Sequence, residues 1–152
     1  MEIALFQPDI AGNVGTTLRT AACFGVAAHI IEPCGFPFSD GALKRAGMDY
    51  AVRANVRRHA DWRSFHDWSA EAGRRLVLLT TAGATPLPAF AFDPGDVLLL
   101  GAESSGVPEY VHAAAAARVA IPMRTGFRSL NVAVAAGIAL AEALRQTKGF
   151  PA

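Results

Sequence analysis

Four short stretches of this chain carry residue types able to hold and align a small polar ligand. Three combine glycine with hydroxyl side chains: Leu79-Thr80-Thr81-Ala82-Gly83, Gly101-Ala102-Glu103-Ser104-Ser105-Gly106-Val107-Pro108 and Pro122-Met123-Arg124-Thr125-Gly126-Phe127-Arg128-Ser129-Leu130-Asn131. Glycine lets a ligand approach the backbone, while amides and hydroxyls supply donors and acceptors, as a small polar cofactor with an apolar part requires. In the fourth, Asn13-Val14-Gly15-Thr16-Thr17-Leu18-Arg19, Asn13 reads as standing at or near the N-cap of a helix. Arg19 then lies almost two turns in, on roughly the same side as Gly15 and Thr16. Each stretch also has a plainer reading: loops that end strands are generally rich in Gly, Pro and Ser, and capped helices commonly carry a solvated arginine.

Familiar fingerprints are missing. The chain has no GxGxxG for a nicotinamide or flavin cofactor, no GxxxxGK[ST] phosphate loop and no GxSxG nucleophile elbow. Ser104 and Ser105 have no histidine base that spacing would bring to them. Cys23 and Cys34 are too few for a disulfide framework and too far apart for CxxC, so they read as buried thiols. His29, His59, His66 and His112 have no ligand spacing, and no metal site is expected.

The elements that must position these stretches alternate between strand and helix patterns. Strands are expected at 2–7, 28–32, 75–80, 96–100 and 119–122. Helices are expected at 15–24, 40–46, 61–72 with Asp61 as cap, 108–116 and 131–147, with 83–94 as loop. Alternating βα units imply an α/β fold with a parallel sheet covered by helices on both faces. The ligand-type stretches then follow the carboxyl ends of strands, where open α/β sheets bind ligands. The last helix is apolar nearly all round, from Val132 to Ala141, and must be buried on more than one side.

Length and composition set the outer bounds. A chain of 152 residues fits one domain, 1–152, with no separate nucleic-acid-binding domain. It is 52% hydrophobic, has mean hydropathy +0.28 and is 18% charged, which excludes a disordered chain. So charge-poor a chain is expected to cover part of its apolar surface with a second copy. A net charge of +1 excludes bulk attraction to nucleic acid, so any such binding needs a local patch. Lys44, Arg45, Arg53, Arg57, Arg58 and Arg63, with His59, form the basic stretch from which one would be built, or else a solvated face. The opening residues carry no basic run before their apolar ones and no apolar run nears the roughly 18 residues of a membrane span, so a cytoplasmic protein is expected.

Taken together, NxGxxxR near the amino terminus, the GAESSGVP loop and the IPM…SLNVAVAAGIALAE ending resemble, in order and spacing, the three motifs of the SPOUT RNA methyltransferases. Ile30–Phe36, Lys44–Tyr50 and Leu79–Thr81 resemble the subgroup that methylates the ribose of the tRNA wobble nucleotide, C or modified U. The resemblance implies a homodimer, a C-terminal trefoil knot and S-adenosylmethionine as cofactor. It implies a cofactor pocket of Leu79, Thr80, Thr81, Gly83, Gly101, Glu103, Ile121, Met123, Ser129 and Leu130. Arg19, Asn13, Glu103, Ser129 and Asn131 would gather at the methyl-transfer centre, with Arg19 reaching across the dimer and Glu103 orienting it. Lys44, Arg45, Arg53, Arg57 and Arg58 would contact tRNA. Two departures stand out: Gly12 precedes Asn13 where related chains often have proline, and Thr125-Gly126-Phe127 is less polar than the loop usually is. Ribosomal RNA as the substrate, or an inactive RNA-binding module, is the alternative outcome.

Overall fold

Side chains alternate along each buried strand, and here both faces are apolar. The computed structural model describes residues 1–45, 54–82 and 85–152. Its strands are β1 (Glu2–Phe6), β2 (Ala27–Ile31), β3 (Val56–His59), β4 (Arg75–Leu79), β5 (Thr85–Pro86), β6 (Asp96–Leu100) and β7 (Ala117–Ala120). The helices are α1 (Ala11–Cys23), α2 (Asp40–Arg45), α3 (Trp62–Glu71), α4 (Glu109–Ala114) and α5 (Val132–Thr147). All pairings are parallel, and among the described residues the order is β3-β2-β1-β6-β4-β7-β5.

Ile3, Leu5, Ile30, Val77, Leu98 and Val119 pack with Val14 and Leu18 of α1 and Ala136, Leu140 and Leu144 of α5. The alternate residues Ala4, Phe6, Ile31, Leu76, Leu78 and Leu99 pack with Phe65 of α3 and Val111 of α4. The expected helix-covered parallel sheet is therefore the one found. Near-continuous apolar strands are what such double burial demands.

The differences lie at edges and ends. Strand β3, Val-Arg-Arg-His, falls outside the expected set because a short charged sequence is how an edge strand looks. A short strand and a 3₁₀ turn at Leu87–Ala89 occupy part of the stretch read as loop. Helix α1 starts at Ala11 rather than Gly15, so Asn13 is its third residue and not its cap; Ile10 takes that place without a side-chain bond. Gly12 and Gly15, poor helix formers, hide this early start. Asp61 does cap α3, accepting from Ser64 N–H at 2.8 Å. The cysteines differ too: Cys23 is exposed and Cys34 half-buried. No described helix is long and apolar enough to cross a membrane.

Candidate active site

Beyond the carboxyl ends of β4, β6 and β7 lies a cleft of about 430 Å³. Leu78, Leu79, Leu100, Val119 and Ile121 give it apolar walls; Asn13, Glu103 and Asn131 make a polar end. That mixture suits a ligand with both an apolar ring and charged groups.

The loop after β6 is folded tightly on itself. Ala102 and Gly106 exchange backbone bonds, N–H to O, at 3.0 and 2.8 Å. Gly106 adopts φ +64°, a conformation that favours glycine. A Cβ on Gly101 would stand 2.6 Å from the Gly106 carbonyl carbon and 2.8 Å from its Cα, so only glycine fits. This turn presents Glu103 to the start of α1, where its carboxylate accepts the Asp9 N–H at 2.7 Å and Asn13 Nδ2 at 3.2 Å. Asp9 in turn accepts the Ser104 N–H at 3.0 Å and the Ser104 hydroxyl, and these bonds hold its carboxyl below the ordinary range.

A third strand-ending loop joins the same network. Asn131 Nδ2 donates to Asn13 Oδ1 at 2.9 Å, while Asn131 Oδ1 accepts the N–H groups of Ala133 and Val134 at 2.9 and 3.3 Å. Asn131 therefore caps α5 and reads Asn13 with the remaining half of its amide. Glu103, Asn13 and Asn131 thus form one continuous chain of hydrogen bonds linking three segments that the sequence keeps far apart.

Of the expected cofactor residues, Leu79, Thr80, Thr81, Gly101, Glu103, Ile121, Met123, Ser129 and Leu130 all line the cleft. Gly83 lies outside the described residues. Arg19 is exposed on α1 and does not line the cleft, and Glu103 spends its hydrogen bonds described above on Asp9 and Asn13. Sequence reasoning did not name Leu78, Leu100 and Val119 of the apolar walls, nor Ile10, Ala102, Ser105, Gly106, Val107, His112, Val132 and Ala135, as lining residues. The GAESSGVP motif held a signal for Ala102, Gly106 and Val107; His112 had none. Its Nδ1 is buried without a partner among the described residues.

The described residues of the basic stretch are spread over more than one element. Lys44 and Arg45 belong to α2, and Arg53 lies outside the described residues. Arg57 and Arg58 are neighbours on β3 and so point to opposite faces of the sheet. The Arg57 guanidinium lies 5.6 Å from the Trp68 ring centre, whereas Arg58 donates to Glu32 at 2.6 and 3.3 Å and lies 4.8 Å from that of Phe38. Cys34, by contrast with a reactive thiol, is pushed up to about 11 by burial, with the Glu32 carboxylate adding to it.

Known proteins resemble this chain along almost its whole length. A tRNA (cytidine(34)-2′-O)-methyltransferase of Ancylobacter novellus is 55% identical over 99% of this chain and 95% of its own. A solved structure described as "Structural insights into the 2-OH methylation of C/U34 on tRNA" superimposes with a TM-score of 0.90 at 41% identity, covering 97% of this chain and 96% of that one. An AdoMet-bound rRNA methyltransferase from Sinorhizobium meliloti gives a TM-score of 0.85 at 32% identity, over 95% of this chain and 55% of that one. Residues 1–141 match the model of the SpoU rRNA methylase family. With its three glycine-bearing loops joined at one cleft, the chain belongs to the SpoU methylase family.

Proposed function

We propose that residues 1–152 act as one methyltransferase domain that uses S-adenosylmethionine to methylate the 2′ hydroxyl of the wobble ribose, C or modified U, in the anticodon loop of tRNA. The Glu103–Asn13–Asn131 chain carries this reading, because it fixes a polar rim at one end of an apolar cleft in a family whose relatives act on that hydroxyl. The cleft suits the cofactor. Leu79, Ile121, Met123 and Leu130 offer apolar faces for a purine, and the Thr80, Thr81 and Gly101 backbone offers hydrogen bonds to its edge. Bound there, the cofactor supplies a methyl group activated by its sulfonium.

The chain's residues have the remaining tasks of alignment and charge. In-line displacement needs the reacting atoms about 3–3.5 Å apart and collinear with the leaving group. Ser129 and Asn131, at the foot of α5, and Asn13, held by Glu103, can orient the ribose. Arg19 is a permanent cation and cannot serve as a base. It clamps an RNA phosphate and stabilises the developing alkoxide, while the proton leaves through a phosphate oxygen or water. Arg19 acts in the cleft of a second copy: Arg19 is exposed on α1, and on the adjoining α5 Val134 and Ile138 are 51% and 40% exposed, which supports a homodimer closed over these helices.

Arg45 and Arg57, with Lys44, Arg53 and Arg58, serve the anticodon stem as phosphate contacts. Arg57 and Arg58 divide their charge between the two sheet faces, and Arg58 shares its own with Glu32. The trefoil knot belongs to the same proposal. Strand β7 lies outside β4, yet α5 packs on β6 and α1, so residues 121–131 must travel back across β4. A tRNA substrate places the enzyme in the cytoplasm.

Mass-spectrometric mapping of ribose-methylated nucleosides in total tRNA, with and without the protein, tests the proposal. A methyl at the wobble ribose is expected. A methyl found only in ribosomal RNA would move the substrate, and calorimetry showing no S-adenosylmethionine binding would leave an RNA-binding module.

A further inference from the structure

We infer that Phe127 is a stacking platform for a nucleobase of the substrate RNA, set between two arginines that hold the adjoining phosphates; the inference rests on the methyltransferase reading above. The two limbs of the 121–131 loop both line the cleft, through Ile121 and Met123 on one side and Ser129 and Leu130 on the other. The tip between them therefore stands at the cleft mouth. A turn makes that tip, with Phe127 N–H donating to the Arg124 carbonyl at 3.3 Å and Gly126 at φ +96°. The turn leaves Phe127 71% exposed, the most exposed of the large apolar side chains described.

An aromatic ring held out in water keeps a flat face open to a stacking partner. Its flanks indicate which partner. Arg124 and Arg128 are exposed, and no side-chain hydrogen bond or ion pair among the described residues engages either guanidinium. A ring between two uncommitted cations matches single-stranded nucleic acid, in which flat bases alternate with phosphates and recognition proceeds by stacking on aromatic and arginine planes. It matches an apolar protein surface poorly, since burying that surface would strand both guanidinium groups without partners. The cleft is already furnished with apolar walls, so Phe127 is spare for the substrate. A base stacked there would anchor the RNA at the cleft mouth.

Phe127→Ala, Phe127→Leu and Phe127→Tyr are to be compared with the wild-type protein. The readouts are kcat/KM on tRNA by nucleoside mass spectrometry, tRNA affinity by anisotropy, S-adenosylmethionine affinity by calorimetry and oligomeric state by sedimentation. Stacking loses about 5- to 150-fold in RNA affinity when the ring is removed, so Phe127→Ala and Phe127→Leu should lose that much in kcat/KM and tRNA affinity. Phe127→Tyr should restore most of it, and cofactor affinity and sedimentation should be unchanged throughout. Arg124→Gln should lower the slope of log affinity against log salt by about 0.7. A leucine variant as active as wild type would show apolar cover rather than stacking and overturn the inference, as would alanine at wild-type activity. Loss of the oligomer or of cofactor affinity in Phe127→Ala would overturn it in favour of a partner chain or the cofactor. If the wild-type protein methylates tRNA, those outcomes strike this inference alone; if it methylates none, the underlying reading fails and this inference with it.

Discussion

Replacing Gly101 by alanine adds one methyl group where the structure has no room for it. The new Cβ would stand 2.6 Å from the carbonyl carbon of Gly106 and 2.8 Å from its Cα and O, all backbone atoms that cannot swing aside as a side-chain tip would. Relief requires the 102–106 turn to open, which breaks the reciprocal Ala102–Gly106 bonds of 3.0 and 2.8 Å. Two such bonds at about 1 kcal/mol each, with about 1–3 kcal/mol for overpacking, give a loss of about 3–5 kcal/mol. For a domain of this size that lowers Tm by roughly 6–20 °C. The opened turn also withdraws Glu103 from Asn13, so S-adenosylmethionine affinity should fall at least tenfold. Gly12→Ala is the control: nothing lies within 4 Å of its Cβ and it sits in α1, so it should be neutral or stabilise by about 0.5–1 kcal/mol. Urea unfolding and calorimetry at one fixed protein concentration measure both effects. A Gly101→Ala variant within about 0.5 kcal/mol of wild type and with unchanged cofactor affinity would refute the argument.

Three further expectations concern charge. Burial, together with the His29 and Arg57 charges, lowers His59 to about 4, and burial likewise lowers His29, against the pull of Glu2. The unfolded chain then binds more protons than the folded one between pH 6.5 and about 4, so stability is full above that window and lost as pH falls through it, by roughly 1–3 kcal/mol for His59; His59→Gln should flatten the dependence of the urea midpoint on pH, and an unaltered profile would sink the assignment. Asp96 is fully buried against Arg75, which is 41% exposed, so Arg75→Ala, leaving the buried carboxylate without its counter-charge and with only the Asp93 N–H, should cost about 3–5 kcal/mol and more than Asp96→Ala, whose remaining guanidinium can reach water; thermal melts of the pair decide the order. Arg19→Ala should reduce methylation more than about 100-fold with cofactor affinity within about twofold of wild type, since Arg19 does not line the cleft of its own chain and in a partner's cleft would meet the RNA rather than the cofactor; parallel loss of both in calorimetry and activity assays would make Arg19 part of the cofactor site or the fold instead.

The sheet was legible because burial on both faces writes itself as unbroken apolar runs, as in Asp96–Leu100, and because Asp61 announces the helix it caps. Strand β3 was not, since an edge strand carries the charges that keep it from pairing further. The cleft walls were legible through the three loops, but the partner of Glu103 was not. A bond between residues 90 positions apart leaves no local trace, and the choice between Arg19 and Asn13 turns on where α1 begins, which two glycines obscure. Once Asn13 is placed in the first turn, its residue type becomes a requirement. Glu103 offers only acceptors, and Asn131 has committed its oxygen to the α5 amides, leaving only donors. The side chain between them must donate on one side and accept on the other. An amide does both; aspartate would set a second carboxylate against Glu103, and serine is too short to span the two. Asparagine at position 13 is thus explained by the geometry of two other loops, which is why its helix alone could not reveal what it does.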